Sequence, residues 1–113
     1  MHELSIVESL LALVLEHADK AEAEKVVGVN LVVGELSGVV DEAVEFYWDF
    51  LTRETIAKDS RIIFRHVSAR LKCRKCGEVF LSSENGYICP KCSEQQVDII
   101  AGRELFIESL EVE

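Results

Sequence analysis

Apolar residues recur at steps of three and four from the start of the chain. Leu4, Val7, Leu10, Leu11, Val14, Ala18 and Ala21 form one stripe, and Glu8, Glu16, Asp19 and Lys20 lie largely outside it. This predicts an amphipathic helix over residues 4 to about 21. Residues 25–36 change period: Val27, Val29, Leu31 and Val33 alternate with their neighbours in a run rich in β-branched side chains, which predicts a strand. Gly34 and Gly38 bracket a turn. Asp41 is placed to cap a second helix running to about Thr55, with Val40, Val44, Tyr47, Phe50 and Leu51 on its apolar face. Residues 61–67 form a strand with Ile62, Phe64 and His66 on one face, and 97–100 and 104–112 form two more. In the last of these, Phe106, Glu108, Leu110 and Val112 share a face, opposite Leu105, Ile107 and Ser109. Between them, residues 71–92 are rich in Cys, Lys, Gly, Ser and Asn, and Asn85-Gly86 predicts a hairpin turn.

The helix–strand–helix–strand part has too few strands to close a sheet, so the C-terminal strand is expected to return to it. The resulting fold is α+β: two helices packed on a small, mainly antiparallel sheet, with an inserted module that holds two Cys-x2-Cys pairs and reads as a zinc ribbon. Residues 1–68, completed by strand 103–113, make one domain; residues 69–102 make the metal module. A chain of 113 residues, 49% hydrophobic, has material for one core and a satellite. Its apolar runs fall short of the roughly 18 residues that span a bilayer, and no basic n-region precedes the first helix. A cytoplasmic protein is expected. The formal charge of -9 repels phosphate backbones and disfavours nucleic acid, while suiting a basic protein partner or a cation.

The cysteines fall in two pairs, Cys73 and Cys76, then Cys89 and Cys92, spaced Cys-x2-Cys-x12-Cys-x2-Cys. In a cytosolic setting this pattern favours a metal over disulfides. Two intervening residues let a tight turn aim both sulfurs at one ion, and four thiolates close a tetrahedral shell typical of structural zinc. Gly77 and Pro90 suit such knuckles. Iron in an electron-transfer centre uses the same donors, but the short loop between the knuckles fits a zinc ribbon better.

His2 stands where a terminal histidine is usually just solvated. Position two changes its chemistry: the α-amine of Met1, the His2 amide and imidazole, and the Glu3 amide can form fused chelate rings. Four nitrogens in a plane suit Ni(II) or Cu(II). Amide protons must leave, so binding weakens as pH falls. His17 lies on the polar side of the first helix, and His66, near the module boundary, suits a sheet surface better than the alternative of an extra metal ligand. Glu35, Asp41, Glu42 and Glu45 cluster near the turn and second helix, either as cap and solvated face or as carboxylates assisting a metal. No nucleophile–base pair or phosphate loop is present, so no enzyme is expected. A zinc-ribbon interaction adaptor without metal cargo is the alternative to a metal carrier.

Taken together, Met1-His2-Glu3-Leu4-Ser5, Gly34-Glu35-Leu36-Ser37, the two knuckles with Cys89-Pro90, and the ending Ser109-Leu110-Glu111-Val112-Glu113 resemble the HypA/HybF family in the same order along the whole chain. That resemblance implies a nickel metallochaperone for [NiFe]-hydrogenase maturation, with urease as a further client in some bacteria. It implies a nickel site at Met1, His2 and Glu3 and a structural zinc site at Cys73, Cys76, Cys89 and Cys92. The implied partners are the GTPase HypB, the hydrogenase large subunit and urease accessory proteins. A monomer or homodimer, including a strand-swapped one, is compatible with the inserted module. The chain departs from the family pattern at Ser93, where a glycine often follows the last cysteine, and in having no histidine within residues 73–92.

Overall fold

The computed structural model describes residues 3–113. The order of elements is α1 (Glu3–Lys20), β1 (Val26–Gly34), α2 (Asp41–Leu51), β2 (Arg61–Val67), β3 (Arg70–Cys73), β4 (Val79–Leu81), α3 (Ser82–Asn85), β5 (Val97–Ala101) and β6 (Leu105–Val112). They form two three-stranded sheets, ordered β2-β1-β6 and β4-β3-β5. The fold is α+β, with a four-cysteine ribbon inserted before the last strand.

The chain divides into two compact units. One comprises Met1–Val32, Val39–Arg65 and Phe106–Glu113; the other comprises Val33–Gly38 and His66–Leu105. In the first unit, α1 buries Val7, Leu10, Val14 and Ala18 and also Glu3, whereas Leu4 and Ala21 are exposed. The stripe thus passes through Glu3, one residue earlier than expected. The helix ends where Glu22 takes a positive φ of 55° and the Ala23 N–H reaches back to the Ala18 carbonyl, a left-handed stop of the kind glycine usually supplies.

β1 is the central strand. Lys25 pairs with Glu113 at one end and Gly34 donates to Glu104 at the other, so β1 and β6 run antiparallel. The Val26 N–H reaches the Ile56 carbonyl and the Glu35 N–H reaches the Val67 carbonyl, so the chain from α2 through β2 advances alongside β1. This is a crossover of the βαβ kind. Burial on β1 is not a simple alternation: Val26, Gly28 and Val32 are buried along with Val29, Leu31 and Val33. The side chains of Glu111 and Ile63 lie over Gly28, at 3.0 and 3.5 Å from where a Cβ would stand, so neighbouring strands cover this face.

α2 differs from expectation in three ways. Its N-cap is Val40, extended and without a side-chain cap, and Asp41 is the first helical residue. There Asp41 and Glu42 face the positive end of the helix dipole. The helix stops at Leu51 because the Thr52 hydroxyl and amide both turn back to the Trp48 carbonyl and Thr55 turns back to Thr52. Its buried face is Val44 and Trp48, while Val40 and Phe50 are exposed. The decisive anchor is Trp48: its Nε1–H donates to Ser60 Oγ at 2.9 Å, and that hydroxyl donates to the Ala57 carbonyl. Asn85-Gly86 does not turn a hairpin either. The Glu84 carboxylate accepts from the Leu81 N–H and closes one helical turn, which Gly86 ends with φ 63°. The hairpin lies instead at the first cysteine knuckle, where β3 pairs antiparallel with β4.

Ser60→Ala strands the buried indole N–H without its acceptor. Urea unfolding followed by Trp48 fluorescence, the only tryptophan in the chain, should show a loss of about 1–3 kcal/mol with an unchanged denaturant slope.

Candidate metal centre

Two knuckles of the same construction bring the cysteines together. In the first, the Cys73 N–H donates to the Glu78 carbonyl (2.9 Å) and the Gly77 N–H to the Cys73 carbonyl (3.0 Å). In the second, the Cys89 N–H donates to the Glu94 carbonyl (3.0 Å) and the Ser93 N–H to the Cys89 carbonyl (2.9 Å). Gly77 and Ser93 are equivalent, with φ of 79° and 64°. Ser93 therefore carries the left-handed strain that a glycine would avoid. In each knuckle the turn aims amides at sulfur: Lys75 and Cys76 N–H at Cys73 Sγ (3.3 and 3.4 Å), and Lys91 N–H at Cys89 Sγ (3.4 Å).

All four sulfurs lie within 4.8 Å of one another, with Cys73–Cys92 at 3.5 Å and Cys76–Cys89 at 3.6 Å. A zinc ion with bonds of about 2.3 Å requires tetrahedral sulfur separations of about 3.8 Å. Donor type, number and spacing therefore fit structural zinc. Cys73 and Cys89 are buried, Cys92 half-buried and Cys76 exposed. Cys76 N–H, aided by Lys75 N–H, pulls the Cys73 thiol down to about 7 against the opposing effect of burial. At Cys92 the Glu94 N–H favours the thiolate, but burial and shared S–H hydrogen bonds with the other cysteines outweigh it and push the thiol up to about 12. Cys76 is also raised: the Glu78 N–H opposes burial and its sulfur neighbours and loses. Four adjacent thiols resist ionising together until a cation compensates them, so metal uptake is coupled to proton release and weakens in acid.

The ribbon around this cluster is small. Ala69, Leu71, Cys73, Phe80 and Cys89 form its buried core, with Leu36, Cys92 and Val97 packed against it. β3 pairs antiparallel with both β4 and β5. The segment Gly34-Glu35-Leu36-Ser37 is built into this unit. A Cβ on Gly34 would stand 2.3 Å from the Gly102 carbonyl oxygen, and one on Gly102 (φ 126°) 2.8 Å from Ala69 Cα. Only bare backbone fits there. Leu36 N–H donates to the Gly102 carbonyl. Glu35 is a hub: one carboxylate oxygen accepts from Ala69 N–H (3.0 Å) and the Ser82 hydroxyl (2.5 Å), the other from the Tyr87 hydroxyl (3.0 Å). These bonds, that from Ser82 foremost, hold its carboxyl below the ordinary 4.5. The Glu35 carboxylate pushes the Tyr87 phenol upward in turn.

The other candidates are placed differently. Met1 and His2 lie outside the described residues. Glu3 opens α1 and is buried, at 6% exposure. Asp41, Glu42 and Glu45 belong to the first unit, whereas Glu35 belongs to the second. His17 and His66 are exposed.

A family model described as "Hydrogenase/urease nickel incorporation, metallochaperone, hypA" matches residues 1–112. The chain belongs to the HypA family. The hydrogenase maturation factor HypA of Dehalococcoides mccartyi is 43% identical over 113 residues, covering 100% of this chain and 95% of that protein. That of Caldanaerobacter subterraneus subsp. tengcongensis is 44% identical over 114 residues, covering both in full. The solution structure of the Ni metallochaperone HypA from Helicobacter pylori superposes with a TM-score of 0.69 at 32% identity, covering 99% of this chain and 97% of that one. Within this HypA chain, then, the glycine–glutamate–leucine–serine motif is a structural clasp on the ribbon, and the two knuckles are repeats of one turn.

Two outcomes follow from this geometry. Ser93→Gly should retain the metal and raise the melting temperature of the zinc-loaded protein, by a stability gain of roughly 1 kcal/mol. Glu35→Ala should lower it. A carboxyl with a lowered folded pKa stabilises fully above its ordinary value and loses that contribution only as pH falls through the folded value. The Glu35→Ala deficit in calorimetry should therefore stay flat between about pH 8 and 6; a deficit shrinking across that range would contradict the lowered pKa.

Proposed function

We propose that this chain carries Ni(II) at Met1, His2 and Glu3, holds a structural zinc at Cys73, Cys76, Cys89 and Cys92, and delivers the nickel for [NiFe]-hydrogenase maturation. The observation that carries this reading is the match to a nickel-incorporation family from the first residue onward. It includes the terminal tripeptide whose chemistry suits a planar nickel ion.

In this mechanism the α-amine, the His2 amide, the His2 imidazole and the Glu3 amide supply the donors. The Glu3 amide suits the role because the first N–H groups of a helix have no acceptor one turn back. The burial of Glu3 favours its amide over its carboxylate as the donor. Two deprotonated amides neutralise the divalent ion, removing the repulsion of a cation at a helix N-terminus. The four-cysteine site has no open coordination position, so its role is to fold the ribbon rather than to hold cargo. Residues 1–68 with 103–113 carry the nickel site and 69–102 the zinc site, with the Gly34–Ser37 segment packed into the zinc-bearing unit. The partners are a HypB-type GTPase, the hydrogenase large subunit and, for urease, its accessory proteins, all in the cytoplasm. The chain catalyses no reaction of its own in this scheme.

Nickel titration of the untagged, zinc-loaded protein beside His2→Ala tests the cargo site. One nickel per wild-type chain, with a planar-nickel absorption band lost in the variant, is the expected result. Equal binding by both proteins would remove the terminus from the site and leave the adaptor reading in front.

A further inference from the structure

The formal charge is not shared between the two units. The first carries fifteen Asp and Glu against six Lys and Arg; the second carries six of each, so the entire -9 resides on the first. Within that unit α2 is the sharpest concentration. Asp41–Leu51 contains four acids and no Lys or Arg. Its outward side displays Phe46 and Phe50, at 68% and 57% exposure the two most exposed large hydrophobic side chains among the described residues. They stand one helical turn apart, so they form a continuous apolar ridge. Glu42, Glu45 and Asp49 flank the ridge and are exposed. Among the described residues, none of the ion pairs engages them. Arg53 closes the C-terminal end, its guanidinium 5.3 Å from the Phe50 ring centroid, and the Phe46 ring meets Tyr47 edge-on at 5.4 Å.

Helix folding does not call for this arrangement. Val44 and Trp48 already anchor α2, and phenylalanine is a poorer helix former than the polar residues that could stand on an exposed face. Aromatic anchors ringed by charge are what interfaces use. We infer that the Phe46–Phe50 ridge of α2 is the docking surface for a basic amphipathic helix of a partner protein, with apolar side chains seated on the ridge and Lys or Arg reaching Glu42, Glu45 and Asp49. Charge complementarity selects this occupant. A second copy would set the same unpaired acids against each other on two bodies of charge -9, and phosphate-bearing partners meet the same repulsion. The inference rests on α2 alone and stands apart from the nickel reading.

The test uses the zinc-loaded full chain, isotope-labelled, and a synthetic helical peptide of roughly 18 residues with leucine and lysine at amphipathic spacing. Its glutamate–leucine counterpart is the control. The expected result is saturable binding of the lysine peptide alone, with amide shifts concentrated in residues 42–53. Affinity should fall at least about tenfold in Phe46→Ala/Phe50→Ala, in Glu42→Lys/Glu45→Lys/Asp49→Lys, and on raising salt. All five side chains are exposed and Trp48 fluorescence reports retention of the fold; should the phenylalanine pair unfold, the charge-reversal set decides. Unchanged affinity in the folded variants, shifts centred elsewhere, or equal binding of the glutamate peptide would overturn the proposal. So would a wild-type dimer in sedimentation that the phenylalanine pair converts to monomer, which would assign the ridge to a second copy.

Discussion

The second unit depends on four sulfurs being drawn to one point. Its buried core is five side chains, two of which are themselves cysteines. Apolar burial on that scale does not offset the conformational entropy of the forty residues from His66 to Leu105. A metal at the sulfurs supplies what the core lacks, and the local backbone is arranged around that need. Both knuckles spend their amides on sulfur, both turn through a left-handed residue, and both pin their first cysteine to a carbonyl five residues on. Even at Ser93, where strain is the consequence, the turn is kept.

Around that point the Gly34–Ser37 segment does the remaining work. Bare backbone at Gly34 and Gly102 allows close approach, the latter against the small side chain of Ala69, Leu36 adds to the core, and Glu35 gathers three donors spaced 34 to 52 residues away in sequence. A glutamate beside a turn looks like a solvated charge or an accessory ligand. Its partners identify it as a clasp that fastens the loop to the ribbon.

What could be seen beforehand follows from the range of each interaction. The cysteine cluster was legible because ligand spacing is a local property and one ion must satisfy both pairs. Helix α1 and strands β1, β2, β5 and β6 were legible because their periods are local too, whereas β3 and β4, four and three residues long, are too short to show one. The buried face of α2 was legible only in part. Val44 stood on the expected face and is buried, with Tyr47 and Leu51 half-buried beside it, but Val40 and Phe50 are exposed and the anchor Trp48 was not foreseen; its bond to Ser60, a residue outside the helix, lies beyond the reach of periodicity. Asn85-Gly86 carried a strong hairpin signal, yet Glu84 capped the preceding residue and a turn of helix formed instead. The role of Glu35 lay wholly in distant partners.

The interleaving of the two units in sequence has a kinetic side. β1 lies between β2 and β6, so the central strand of the first sheet has an open edge until the last residues of that sheet are available. The second unit needs nothing beyond Leu105. Pairing β6 with β1 requires closing a loop that spans most of the molecule. A ribbon already folded shortens that loop in effect, which makes early metal capture an aid to completing a sheet that holds none of the cysteines.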